Sequence, residues 1–421
     1  MPAPLLLDLS HTSHTQARTG IQRVARSLYA ALSSRAVAIT HDPHRAMWRL
    51  LEAWEFANLN STAPAAKRGA RWPLSARLRG HLRQLVASRA SAAAPAGLEA
   101  RLAAFSRSCN GLLVPELFSP AVAGALPALF AKTRGARVAV FHDAIALKFP
   151  ELTPSKTVAR FPAYLRELLA FDGIAAVSDD SRDALRDYWR WLGVTDTPVL
   201  ETIPLGIDTH AGAARGENHP ALPASPATGA RSAGPVVLSV GSIEGRKNHL
   251  ALLEACEALW AGGHTFTLHL VGMAQPQTAA AALARIEALR AAGRPLRYDG
   301  PVDEAALEAA YAGCTFMVYP SMIEGFGLPV LESVAHGRPC ICSARGALGE
   351  SARGGGCVAL PSVDAASLAT AMAQLLGSPT ELAALTAAAR ARHLRTWSDY
   401  ADDLCQWVAT VPRRASPKPL L

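Results

Sequence analysis

Short apolar runs rich in Val, Ile and Leu alternate along the chain with longer Ala/Leu-rich segments whose apolar positions recur at helical spacing. This alternation predicts parallel α/β architecture, because strands buried on both faces read as continuous apolar runs and the helices covering them read as amphipathic. The pattern occurs twice. The first set of predicted strands is Leu5–Leu9, Val37–Thr40, Gly111–Val114, Val138–Phe141, Ile174–Val177 and Val199–Ile203. The second is Val236–Val240, Phe266–Val271, Leu296–Tyr298, Phe316–Tyr319, Cys340–Ser343 and Val358–Leu360. Between them residues 211–234 are crowded with Ala, Gly, Pro and Ser and lack periodicity, as a linker or surface excursion does. Two Rossmann-like parallel-sheet domains with a cleft between them are therefore expected. The first spans 1–205, a linker 206–234, the second 235–395, and 396–421 form a C-terminal helix and tail packing back towards the first domain.

The length of 421 residues agrees with more than one domain at roughly 150 residues each. Half of the residues are hydrophobic, which excludes a disordered chain. The N-terminus has no basic region and its apolar run stops at Asp8, so it does not read as a secretory signal. No segment supplies the about 18 uninterrupted apolar residues of a spanning helix. Seven cysteines without a CxxC pair argue against a disulfide framework or zinc ribbon and suit a reducing cytoplasm. The formal charge of +8 is concentrated in 61–101, where eight basic residues face one acid, Glu99. Leu74, Leu78, Leu82 and Leu85 recur there near helical spacing. Arg77, Arg79 and Arg83 accompany them, so the segment reads either as a surface helix docking on an anionic membrane or as a basic insertion. It lacks the interleaved aromatics of a nucleic-acid stacking surface, so no nucleic-acid partner is expected.

Two segments carry candidate chemistry. Val236–Val240 runs through Gly241-Ser242-Ile243-Glu244-Gly245-Arg246-Lys247-Asn248 into a helical run. A strand entering a helix through a glycine-containing loop presents unpaired N–H groups and the positive end of the helix dipole, and Arg246 and Lys247 add two cations. Such a loop can neutralise a diphosphate whose charge grows as it leaves; the alternative is a solvated basic turn capped by Asn248. The second segment is Pro320-Ser321-Met322-Ile323-Glu324-Gly325-Phe326-Gly327-Leu328-Pro329-Val330-Leu331-Glu332. It follows a buried-type strand, with Pro329 favoured in a first helical turn. Glu324 on the loop and Glu332 on the helix are expected at one strand-end crevice, as acceptors for sugar and ribose hydroxyls, although a carboxylate near a helix start is also favoured by the dipole alone.

The run Glu324-Gly-Phe-Gly-Leu-Pro-Val-Leu-Glu332 resembles the E-x7-E motif of the retaining GT-B glycosyltransferases of family 4. Ser242-Ile-Glu-Gly-Arg-Lys-Asn248 resembles that family's phosphate-binding segment. Thr19-Gly-Ile-Gln-Arg23, Phe141-His-Asp143, Val177-Ser-Asp-Asp-Ser-Arg182 and Ile203-Pro-Leu-Gly-Ile-Asp208 resemble further family pieces in the expected order. The resemblance implies a GT-B fold and a nucleotide-sugar donor bound by the second domain through Gly241, Ser242, Arg246, Lys247, Glu324, Gly325, Phe326, Gly327, Leu328 and Glu332, with Gly20 approaching the donor phosphates. His142, Glu324, Arg246 and Lys247 would be the catalytic residues, and Arg23, His142 and Asp143 the acceptor side. Asp143 either orients His142 or opens the next helix, Ser178 and Ser181 read as helix caps, and His142 has an ordinary structural reading at a strand end. The sequence departs from the family pattern at Ser242, Pro204, Leu205 and Gly245.

No Asp-x-Asp occurs, so the cations and the helix N-terminus are expected to replace a metal on the diphosphate, and no cofactor is expected. The resemblance implies retaining transfer of a hexosyl group, mannose from GDP-mannose, to a polyprenyl-linked bacterial surface glycan such as O-antigen or exopolysaccharide, in the cytoplasm or on the inner face of the membrane. A UDP- or dTDP-sugar donor, a sugar-nucleotide epimerase on the same scaffold and, more remotely, a non-enzymatic basic binding protein are the alternatives.

Overall fold

A computed structural model describes residues 4–17, 19–61, 72–74, 109–208, 234–275 and 277–415. Arg77, Arg79 and Arg83, and almost all of the expected linker 206–234, lie outside the described residues. The chain divides into two compact units. The first contains 1–144, 156–205 and 397–421, and the second 145–155 and 206–396. The segment Ile145–Ser155 thus joins the second unit, whereas the alternation of strands and helices assigned it to the first.

The strands of the first unit are β1 (Leu5–Asp8), β2 (Ala36–Asp42), β3 (Met47–Leu50), β4 (Gly111–Val114), β5 (Ala136–Phe141), β6 (Gly173–Ala176) and β7 (Val199–Thr202). They form one sheet in the order β3-β2-β1-β4-β5-β6-β7. All its pairs are parallel except β2 with β3, where His41 faces Trp48. Leu6, Leu112, Val138 and Ile174 are fully buried along its middle. The sequence pattern misses β3 because its residues Met-Trp-Arg-Leu do not alternate. Arg49 is buried in it, paired with Asp42 at 3.0 Å and with Glu55 at 2.6 Å. The last helix, Trp397–Thr410, packs on Gly20–Leu32 of this unit. A Cβ on Gly173 would lie 2.8 Å from Trp407, so only glycine admits that approach. Beyond the helix the Arg414 amide donates to Asp172 at 2.8 Å, and Asp172 also pairs with the buried Arg137 at 2.5 Å.

The second unit holds β8 (Val236–Val240), β9 (Thr267–Val271), β10 (Leu296–Tyr298), β11 (Phe316–Tyr319), β12 (Cys340–Ser343) and β13 (Cys357–Leu360). The order is β10-β9-β8-β11-β12-β13, with every pair parallel. Side chains alternate between its faces as the pleat requires. Val237, Phe316 and Val318 enter one core with Leu252, Leu259, Leu368 and Met372. Leu238, Met317 and Tyr319 enter the other with Tyr311, Val330 and Leu348. Read from its first strand, this is the doubly wound Rossmann order. In such sheets ligands bind beyond the carboxyl ends of the strands where the order reverses, here between β8 and β11.

Candidate functional site

The two strands at that reversal lead into the two segments singled out by their chemistry. Beyond β8 the chain makes a 3-10 turn, Gly245–Lys247, and enters the helix His249–Ala261 through Asn248, which takes a left-handed conformation. Asn248 does not cap this helix through its side chain; its amide instead donates to the Val363 carbonyl at 2.8 Å. Beyond β11 the loop 320–327 enters the helix Leu328–Ala335 through Gly327. Gly327 has φ +107, and a Cβ there would lie 3.0 Å from Leu348 and 3.2 Å from the Ser351 hydroxyl, so both conformation and packing require glycine. Ser351 clamps the loop by donating to the Phe326 carbonyl at 2.6 Å. No described residue accepts from the amides of Phe326, Gly327 or Leu328, which head this helix and suit an anionic or hydroxylated ligand.

The two loops meet through their charges. Arg246 pairs with Glu324 at 2.8 Å and with Glu244 at 2.8 Å, and Lys247 pairs with Glu324 at 2.5 Å. Ser242 donates to Glu244 at 3.0 Å. The two cations therefore face two carboxylates, rather than forming the solvated basic turn considered above. Tyr319, which ends β11, donates to Glu324 at 2.9 Å, and its hydroxyl also accepts from Lys247. Ser321 donates to the same carboxylate at 2.5 Å. Burial would raise the Glu324 carboxyl, but Lys247 and Arg246 outweigh it and hold it down at about 2. Burial also opposes the Arg246 charge, and Glu324 and Glu244 reverse that and push it up. Lys247 is left lowered, because burial and the repulsion of Arg246 exceed the help of Glu324. The sequence marked Arg246, Lys247 and Glu324 separately but neither their union nor Tyr319, which strand alternation places among core residues.

Glu332 stands apart from this knot. It is buried in the helix Leu328–Ala335 and accepts from Tyr311 at 2.8 Å, while Tyr311 stacks on His336 at 4.8 Å. Among the described residues no group of three or more His, Cys, Asp or Glu side chains is arranged to hold a metal ion.

The first unit gathers polar groups at the same end of its own sheet. Its order reverses between β1 and β4, and Asp8 and Glu116 lie beside that point. Asp8 accepts from the amide and hydroxyl of Ser10 at 2.9 and 2.5 Å. Glu116 accepts from the amides of His11 and Thr12 at 3.1 and 2.9 Å, and from the Thr12 hydroxyl, pinning the loop that leads towards Gly20. Burial raises Asp8 to about 7 and Glu116 to about 6 despite these bonds. His142, one residue beyond β5, has its Nε2 2.7 Å from the Pro115 carbonyl, which assigns the proton to Nε2 and leaves Nδ1 an acceptor. Burial lowers its basicity, against the pull of Pro115 and Asp143. Ser178 caps the helix Asp179–Trp191, accepting from the Ser181 amide at 3.1 Å, whereas Ser181 donates to the His142 carbonyl at 3.0 Å and so positions that residue instead of capping. Gly20 heads the helix Gly20–Leu32 behind the capping Thr19, and among the described residues, its chain neighbours and its own helix backbone aside, no atom lies within 4 Å of a Cβ built on it. Arg23 is half-buried on that helix and Asp143 half-buried after β5. Arg26, unmarked in the sequence, holds the loop end through the carbonyls of Thr15, Asn58 and Leu59 at 2.8, 2.6 and 2.7 Å.

Residues 234–378 match the family described as glycosyl transferases group 1. This group 1 segment contains the whole Arg246–Lys247–Glu324 knot. Over 347 residues, 80% of this chain, the sequence is 26% identical to the serotype-specific mannosyltransferase WbdA of Escherichia coli. The chain spans 38% of that relative's length. A shorter stretch of 73 residues, 17% of the chain and 19% of the relative, is 45% identical to the O-antigen chain mannosyltransferase B of Escherichia coli. Among solved structures the chain resembles sucrose-phosphate synthase from Thermosynechococcus elongatus, with TM-score 0.61 and 20% identity over 96% of this chain and 98% of that one. It also resembles Anabaena HepE, solved with UDP and glucose, with TM-score 0.63 and 15% identity over 97% of this chain and all of that one. These likenesses identify the fold as GT-B: two Rossmann-like units, the second carrying the group 1 segment.

Proposed function

We propose that the protein is a retaining glycosyltransferase of the family 4 kind that transfers mannose from GDP-mannose to a growing, lipid-linked bacterial surface glycan. The observation that carries this reading is the joining of Arg246, Lys247 and Glu324 at the sheet reversal of the group 1 segment. The mannosyltransferase relatives support the choice of sugar. Arg246 and Lys247 take the diphosphate, whose charge grows as the sugar departs, so their grip strengthens towards the transition state. Their trade of Glu324 and Glu244 for phosphate oxygens leaves carboxylate oxygens for sugar hydroxyls. Glu332 takes the ribose, and the amides of Phe326, Gly327 and Leu328 take sugar and phosphate oxygens. His142 contributes Nδ1 as an acceptor for a sugar hydroxyl.

In this scheme the acceptor hydroxyl enters on the face from which the nucleotide leaves, and the leaving phosphate takes its proton. Cationic side chains do the work of a metal on the diphosphate, so transfer persists in chelator. The enzyme works in the cytoplasm, peripherally on the inner membrane, with Arg77, Arg79 and Arg83 docking it on anionic lipid; among the described residues no helix is long and apolar enough to cross a membrane.

A thermal-unfolding panel with GDP, UDP, dTDP and ADP and their sugars tests the donor, since a ligand of the native state raises its apparent stability. Stabilisation by GDP-mannose, followed by mannose transfer to a synthetic polyprenyl-linked glycan with retained anomeric configuration, is the expected result. Epimerised sugar without released nucleoside diphosphate, or no nucleotide binding at all, would overturn it.

A further inference from the structure

One carboxylate oxygen in the second unit is crowded. Glu324 Oε1 receives Lys247 Nζ at 2.5 Å, Arg246 Nη1 at 2.8 Å, Ser321 Oγ at 2.5 Å and Tyr319 Oη at 2.9 Å. A carboxylate oxygen offers about two acceptor sites, so four donors are more than it can satisfy. No described residue donates to the other oxygen, Oε2. The carboxylate is therefore anchored by one oxygen and presents the second.

The four donors fall into two kinds. Arg246 and Lys247 are cations, and an incoming phosphate competes for them directly. Tyr319 and Ser321 are neutral hydroxyls with nowhere to go. The Tyr319 ring is 2% exposed and packed among Leu238, Met317 and Val330, and Ser321 is fully buried. The other oxygens near the Ser321 hydroxyl, the carbonyls of Ile323 and Arg246, lie farther off at 3.2 and 3.3 Å.

Resting on the nucleotide-sugar reading above, we propose that Tyr319 and Ser321 are the positioning residues of this site: they retain Glu324 through Oε1 when Arg246 and Lys247 turn to the diphosphate, and so keep Oε2 on the transferred sugar. Without them Glu324 would follow the cations towards the phosphate or swing free. Both hydroxyls act through Glu324 and neither is assigned a contact with the ligand.

The test compares wild type with Tyr319→Phe, Ser321→Ala and the double variant, using the nucleoside diphosphate and sugar pair that stabilises the wild type most in the panel above. The double variant is expected to bind the nucleoside diphosphate within about threefold of wild type while losing the additional affinity conferred by the sugar. Its kcat should fall at least about tenfold, the scale of losing hydrogen bonds to a charged group. Ser321→Thr, which keeps a hydroxyl, should retain most of the sugar-dependent affinity that Ser321→Ala loses. Unchanged sugar discrimination and kcat would overturn the proposal. So would a parallel loss of nucleoside diphosphate and sugar-nucleotide affinity, which is what a merely structural role gives. Should the double variant not fold, the same comparison on Tyr319→Phe, which preserves the ring, decides between these outcomes. If no pair binds the wild type, the nucleotide-sugar reading itself fails and this proposal falls with it.

Discussion

The two units place buried carboxyl groups at equivalent points of similarly ordered sheets, yet give them opposite electrical characters. Beside the reversal of the first sheet Asp8 and Glu116 are raised to about 7 and about 6, because burial outweighs the hydrogen bonds they accept. Beside the reversal of the second, Glu324 is a little more exposed and is held at about 2 by Lys247 and Arg246, against the effect of its own burial. Burial alone does not decide ionisation; the cations within bonding distance tip it. One strand end is built from groups near their protonation point and a neutral imidazole, the other from ions that neutralise one another.

The largest test of this contrast is Lys247→Ala, which should reduce glycosyl transfer by about a hundredfold or more while leaving a folded protein, since Arg246 still covers Glu324. Steady-state rates alongside circular dichroism would show it, and near-normal turnover would remove Lys247 from the diphosphate site. Next comes Glu324→Gln, which takes the carboxylate from Lys247 and leaves Arg246 with Glu244 alone, and should cost about 3 kcal/mol in denaturant unfolding. Pyrophosphate should then stabilise this variant more than wild type; an equal shift would mean that the carboxylate does not compete for the cations. Gly327→Ala should cost about 2 kcal/mol, by forcing a side chain into φ +107 against Leu348. A Tm within error of wild type would show that the loop relaxes freely.

The pH dependence has opposite signs in the two units. Glu324 is depressed, so its contribution to stability is present above the ordinary carboxyl range near 4.5 and is lost as the pH falls from there through about 2. Asp8 is raised, so its contribution is present below its ordinary value of 3.8 and is lost as the pH rises through about 7. The smallest predicted effect follows: Asp8→Asn should be more stable than wild type at pH 8 by about 1–2 kcal/mol and not at pH 4. Unfolding curves at both pH values check it, and a pH-independent difference would show that Asp8 ionises freely in the folded state.

The fold was largely legible because the inner strands of the second sheet, such as Val236–Val240 and Phe316–Tyr319, are mostly apolar runs, as parallel strands buried on both faces must be. β3 escaped because a buried arginine interrupts its apolar character, and pairing of charges across turns leaves no periodic mark. In the site, Arg246, Lys247 and Glu324 were legible from residue type and loop context. Their mutual neutralisation was not, since it depends on two loops 77 residues apart meeting at a sheet reversal. Tyr319 and Arg26 carry no sequence signal: one looks like a core aromatic and the other like a surface cation of an amphipathic helix, until the carboxylate and carbonyls they reach are in place.

The chain passes between the two units four times, and the first unit is complete only when Trp397–Thr410 has been added. The second unit can therefore close in a chain that lacks the helix packed on Gly20–Leu32 and Gly173, whereas the first cannot. The usual order, in which the N-terminal part of a nascent chain folds first, is reversed for the final step. A released chain truncated shortly before residue 397 would hold a finished second unit joined to a first unit with its helix seat open, and chaperones should capture it more than the full chain.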